Sequence, residues 1–196
     1  HLAEKHHARV PGLLDRLLQL SPDQVPFDHS DTLRLLGVDE EPHFTRLRQE
    51  LRALFFSSEY LDRDVPHPGA RAFVEDCRGA GAIVVYLTGR DHGGMHAGTV
   101  ASLIAHAFPL DQPDVHLLMK PDQATRDLEF KSSTCQQLRG YGELVAFFDN
   151  EPENVNSFKE AFPSCIAVLV TTKHSKNPPP PAPGVERVAN FLRPAC

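Results

Sequence analysis

Apolar positions change their period once along this 196-residue chain. Up to about residue 66 they recur at helical spacing: Leu13, Leu14, Leu17 and Leu18, then Leu33, Leu35 and Leu36, then Leu47, Leu51, Leu54 and Phe55. Pro22, Pro26, Gly37 and Pro42 cut this pattern into short helices. Nothing in it reads as a buried strand, so residues 1–66 are predicted to form a small helical lobe. Beyond Pro66, short runs apolar on both faces alternate with helical patterns. Strands are predicted at Ile83–Leu87, Val115–Met119, Leu144–Phe148 and Cys165–Val170. Helices are predicted from Pro68 to Gly79 or Gly81, over Met95–Ala107 and Phe130–Arg139, and from Pro152 with Val155, Phe158 and Phe162 inward. Val185, Val188, Phe191 and Leu192 suggest a closing helix after a stiff Pro178–Pro181 connector. Strands buried on both faces and separated by helices predict an α/β fold over 67–196. The expected form is a Rossmann-like parallel sheet with helices on both faces.

Composition narrows the class. There are 26 acidic residues against 20 basic ones, a formal net charge of −6. This disfavours a nucleic-acid partner, whose binding surface is a basic cluster. No apolar stretch approaches the roughly 18 residues that span a bilayer, and no signal peptide opens the chain, so the expectation is a soluble, cytoplasmic protein without a membrane partner. Cys77, Cys135, Cys165 and Cys196 are widely spread and lack metal-site spacing, which predicts reduced, core-type cysteines. The histidines His6, His7, His67, His92 and His96 sit in polar, turn-rich contexts and are expected at the surface.

In open parallel sheets chemistry gathers beyond the carboxyl ends of the strands. The first predicted strand ends in Leu87-Thr88-Gly89-Arg90, offering a hydroxyl and a permissive glycine. The third ends in Phe148-Asp149-Asn150-Glu151, offering a carboxylate, and Lys131 begins a helix between them, after Met119-Lys120-Pro121-Asp122. A hydroxyl, a lysine and a carboxylate converging on one crevice suit a phosphoryl group with a divalent cation. Each element alone is ordinary: a Thr-Gly is usually a turn, a lysine opening a helix is usually solvated, and an Asp-Asn often caps a helix.

Their order resembles the haloacid dehalogenase-like hydrolases. The second motif of that family, a strand ending in Thr or Ser, is matched by Val84-Val85-Tyr86-Leu87-Thr88-Gly89-Arg90. The third, a lysine, is matched by Phe130-Lys131, with Lys120 of the Lys120-Pro121 pair as its competitor. Lys131 is favoured because it opens the helix leading into the acidic strand. The fourth is matched by Phe147-Phe148-Asp149-Asn150-Glu151-Pro152. The likeness covers about residues 67–175. Lys120-Pro121-Asp122 followed by Phe130-Lys131 also looks like the phosphatase half of polynucleotide kinase-phosphatases. The resemblance implies a magnesium-dependent phosphohydrolase acting on a small phosphorylated substrate through an aspartyl-phosphate. Thr88 and Lys131 would be catalytic, Gly89, Arg90 and Lys120 would bind substrate, and Asp149 and Asn150 would hold Mg2+. Glu151 and Asn154 are second-rank candidates for the metal.

The family's first motif, an aspartate nucleophile with a second aspartate two residues on, has no match here. Phe27-Asp28-His29-Ser30-Asp31 imitates it, but Ser21–Pro26 contains two prolines and cannot form a central strand. Asp31-Thr32 or Ser30 reads instead as a helix start. In the family that first strand lies between those ending at Thr88 and Asp149. Its absence leaves two strand edges unpaired, so the expectation is that it lies upstream and that residues 1–66 are the helical cap inserted after it. Two other readings stay open: a non-catalytic phosphate-binding or interaction protein of the same fold, and a polynucleotide end-processing phosphatase.

Overall fold

The computed structural model describes residues 2–6 and 10–193, so His7 and Cys196 lie outside the described residues. The chain divides into two compact units, residues 1–56 and 57–196. The division falls at Phe56/Ser57 rather than at Pro66. The reason is local: Ser58 accepts the Gly98 N–H (3.1 Å) and donates to the Gly94 carbonyl (2.9 Å), while His106 bonds the Asp64 carbonyl (2.7 Å). These bonds tie the 57–66 segment to the helix that carries Gly94, Gly98 and His106's preceding turn.

The first unit is helical, and no strand occurs among its described residues. It consists of α1 (Leu2–His6), α2 (Leu13–Leu18), α3 (His29–Leu35) and α4 (His43–Phe55). Ala3, Leu13, Leu33, Leu36, Val38 and Leu47 form its core. Asp28 is the N-cap of α3, accepting the N–H groups of Ser30 (2.7 Å) and Asp31 (3.3 Å). His6 departs from the sequence expectation. It is buried, with Nε2 2.9 Å from the Glu50 carboxylate, because α1 is short and turns this face onto α4.

In the second unit the described elements are α5 (Ala70–Gly79), β1 (Val84–Asp91), α6 (His92–Ala105), β2 (Val115–Lys120), α7 (Asp127–Ser133), α8 (Cys135–Tyr141), β3 (Ala146–Asp149), α9 (Pro152–Ala161), β4 (Ile166–Val170) and β5 (Glu186–Val188). This is a mixed α/β arrangement of short parallel sheets. β1 pairs with β2 in one sheet, and β3, β4 and β5 pair in that order in another, every pairing being parallel. Among the described residues β1 and β3 each end a sheet and so keep one unpaired edge. The core holds Leu138, Phe147, Val155, Phe158, Ala167 and Leu169, with Val85, Leu87 and Leu118 of the other sheet packed against it. Phe147 and Phe158 stack with ring centroids 3.8 Å apart. Among the described residues no helix is long and apolar enough to cross a membrane.

Three predicted elements differ. The expected closing helix is absent: Glu186–Val188 extends as a strand on β4, and the chain then runs irregularly through Phe191. Phe191 packs on Phe73 and Phe148 (centroids 5.4 and 5.5 Å), and Leu192 is exposed, so the apolar positions serve two surfaces and not one helix face. The helix expected over Phe130–Arg139 breaks at Thr134. There the Thr134 hydroxyl donates to the Lys131 carbonyl (2.6 Å) and the Ser133 hydroxyl to that of Phe130 (2.7 Å), competing with the helical ladder. β1 continues past Leu87 to Asp91, with a bulge between Thr88 and Asp91 against Met119 and Lys120, so Thr88-Gly89-Arg90 is an irregular strand end. Cys135 and Cys165 are buried free thiols that burial pushes up from their ordinary pKa, and Cys77 is half-buried.

Two measurements check these local arguments. Gly69 has φ +81°, and a Cβ there would overlap the Phe191 backbone, so Gly69→Ala should cost more than about 1 kcal/mol in urea unfolding. Glu50 accepts from Lys5 (2.9 Å) and Arg46 (3.0 Å) and meets His6, which together hold its carboxyl down at about 2. A depressed carboxylate stabilises above its unfolded pKa and loses that contribution as pH falls through the folded one. Stability of the first unit should therefore drop between about pH 4.5 and pH 2, and Glu50→Gln should flatten that slope in acid titrations followed by circular dichroism.

Candidate functional site

The carboxyl ends of β1, β2 and β3 and the start of α7 bring together most of the residues singled out above. Lys131 lies on α7, 7% exposed, and its Nζ sits 2.5 Å from Asp149 Oδ2 at the end of β3. Asp149, 8% exposed, also accepts the Asn154 amide on Oδ2 (3.1 Å) and the Glu151 N–H on Oδ1 (2.9 Å). The carboxylate thus meets one cation and two neutral donors, which compensates for taking a charge out of water.

The second lysine has its own partner. Lys120 ends β2, is 4% exposed, and its Nζ lies 2.8 Å from Asp127 Oδ1. Asp127 is the first residue of α7, one turn before Lys131, so the two project from the same face of that helix. Its carboxylate rests on Gly89, where a Cβ would overlap it. Gly89 and the neighbouring Thr88, Lys120, Asp127, Lys131 and Asp149 therefore occupy one corner of the fold. Thr88 accepts the Arg90 N–H on its hydroxyl oxygen (3.3 Å), which leaves the hydroxyl hydrogen to donate.

Arg90 and Asn150 turn elsewhere. The Arg90 guanidinium donates to Asp64 (2.7 Å), anchoring the 57–66 segment. The Asn150 amide donates to the Lys173 carbonyl (2.5 Å), and Glu151 accepts from the N–H (2.9 Å) and hydroxyl (2.7 Å) of Ser175. Asn150 and Glu151 thus fasten the loop after β4 instead of facing Asp149. Of the second-rank candidates only Asn154 reaches that carboxylate with its side chain. Asp127 and Asp64 escaped the sequence reading. Asp127 carried a usable signal, its spacing of four from Lys131, whereas the Asp64–Arg90 pair spans 26 positions and has none.

Beside this corner, a cavity of about 490 Å3 runs along Val85–Thr88, with Leu117, Phe108 and Phe148 in its walls. The hydroxyls of Tyr86 and Thr99 are buried at it without a hydrogen-bond partner among the described residues. Burial pushes the Tyr86 phenol up to about 12. That strand residues of both faces line one cavity means that it follows the edge of β1, the edge left unpaired.

Magnesium does not fit the donor set as it stands. The ion takes an octahedron of hard oxygens, commonly one or two carboxylates completed by water and phosphate oxygens, so the test is whether a carboxylate here is free to take it. Asp149 offers one carboxylate, and a lysine ammonium already occupies it. No family model matches the chain, and no curated protein or solved structure is significantly similar to it.

Removing one partner of a buried pair strands the other charge, so Lys131→Met and Asp149→Leu should each cost about 3–5 kcal/mol. The double variant should recover much of that loss. Additive losses in a double-mutant cycle, read by chemical denaturation, would show that the pair is not coupled.

Proposed function

We propose that residues 57–196 bind a phosphoryl group for hydrolysis, the activity implied by the resemblance to haloacid dehalogenase-like hydrolases. The observation that carries this reading is the Lys131–Asp149 pair, buried between α7 and the end of β3, with Lys120 and Gly89 meeting Asp127 one turn earlier on α7. A phosphoryl group carries two or more charged oxygens, and a buried lysine with an adjacent hydroxyl donor stabilises them better than water-exposed groups do. Thr88 donates to one oxygen from β1, and Lys131 offsets the charge from α7. Lys120 and Gly89 complete the approach on the β2 side.

The two short parallel sheets are, on this reading, portions of one Rossmann-like sheet, and the cavity along β1 is the seat of a further strand. Such a strand would pair the free edge of β1 and fill the apolar walls between Val85 and Phe148. It would also bring the attacking carboxylate. Asp28 is a poor nucleophile here, because its carboxylate already caps α3. No step is assigned to magnesium, since the donors present do not form its site.

A second reading has support of its own. Asp149 is satisfied by Lys131, Asn154 and the Glu151 N–H, which is how a retained phosphate-binding or interaction domain without turnover would look.

Binding of inorganic phosphate to the chain, measured by calorimetry, tests the common ground. Thr88→Val and Lys131→Met should each weaken binding about tenfold or more, the value of one or two charge-assisted hydrogen bonds. Equal affinity in wild type and both variants would overturn the reading. These 196 residues alone should not turn over p-nitrophenyl phosphate. Metal-dependent turnover would place the nucleophile on this chain, with Asp28 the first residue to replace. Magnesium titrations of wild type and Asp149→Ala should give equal heats if the donor set is read correctly.

A further inference from the structure

Gly89 is not required by its backbone. The glycines with left-handed φ are Gly12, Gly37, Gly69, Gly81, Gly142 and Gly184, and Gly89 is not among them. What its missing side chain provides is room, and the Asp127 carboxylate fills that room. The two ends of the Lys120–Asp127 pair are unequally placed. The Lys120 side chain is 5% exposed, with the Asp122 carboxylate also close enough to feel its charge, whereas that of Asp127 is 53% exposed and can rotate into solvent. An ordinary structural ion pair needs no bare glycine beneath it. Arg78 and Asp114, for instance, form a two-point clamp (2.7 and 3.0 Å) without occupying the space of any glycine's missing Cβ.

We propose that Asp127 is an internal plug. Its carboxylate occupies an oxyanion seat made by Gly89 and the Lys120 ammonium beside Thr88, and a phosphoryl-type oxyanion takes that seat by turning Asp127 out to water. The choice of phosphoryl oxygens as the displacing group rests on the functional reading above. The exchange keeps the buried Lys120 charge paired throughout, so no uncompensated ammonium is created when the ligand enters. The cost is a half-exposed ion pair, which is small. Asp127 thereby sets the affinity of the site and excludes weaker anions that cannot compete with a tethered carboxylate.

The test is a titration with inorganic phosphate at constant ionic strength, chloride serving as the control anion, followed by calorimetry and thermal unfolding. Asp127→Asn removes the competing charge and should bind phosphate about threefold to fivefold tighter than wild type. The unliganded variant should melt lower, because Lys120 loses its partner, and phosphate should raise its melting temperature more than it raises that of wild type. Adding Lys120→Met to Asp127→Asn should abolish the gain; Lys120→Gln replaces it should the methionine variant fail to fold. Unchanged or weaker binding by Asp127→Asn, or a gain that survives the loss of Lys120, overturns the plug. The two proposals separate cleanly. If Lys131→Met loses phosphate while Asp127→Asn matches wild type, the plug falls and the phosphoryl site stands. If none of these proteins, Asp127→Asn included, binds phosphate, both fall.

Discussion

A charge taken out of water must be met by another, and in the second unit this constraint organises the site. Lys131 and Asp149 are both nearly inaccessible, and each makes the other tolerable. Their contact joins α7 to the end of β3, so it also bridges the two sheets. α7 itself is short and interrupted at Thr134, and seven residues of helix would be marginal alone. Its position is fixed less by helix propensity than by three side chains: Phe130 in the apolar core, Lys131 on Asp149, and Asp127 on Lys120.

The same logic explains how the corner stays polar among apolar strands. Every charged group in it has a counter-charge within hydrogen-bond distance, and Asn154 adds a neutral donor where a second cation would overcompensate. The surrounding strands contribute apolar walls, which strengthen each electrostatic contact. Outside the corner, Arg90 and Asn150 act as fasteners for loops, holding Asp64 and the carbonyl of Lys173. Residues adjacent in sequence thus divide between holding the site and facing it.

Much of the α/β pattern was legible because β-branched and aromatic runs such as Ile83–Leu87 and Cys165–Val170 admit few alternatives. Their bounds shifted by a residue or more, and β1 ran on through a bulge that leaves no mark in hydropathy. Residues 185–192 misled because their spacing fits a helix, while the structure distributes Val188 to a strand edge and Phe191 to an aromatic trio with Phe73 and Phe148. Thr88, Lys120, Lys131 and Asp149 could be picked out from their places at strand and helix ends. What each touches could not, since the partner of Lys120 depends on how β2 and α7 dock and that of Arg90 on a loop 26 positions away.

The unpaired edges of β1 and β3 carry a liability apart from any ligand. Among the described residues β1 is paired on one edge only, and although Val84, Val85 and Leu87 are half-buried, the other edge keeps backbone donors and acceptors that an extended chain, including another molecule of the same protein, can pair. Edge strands are commonly guarded by an inward charge or a proline, and Val84–Leu87 contains neither. Arg90 and Asp91 lie only at its far end. An edge of this kind is where a sheet either takes up another strand of its own or pairs between molecules.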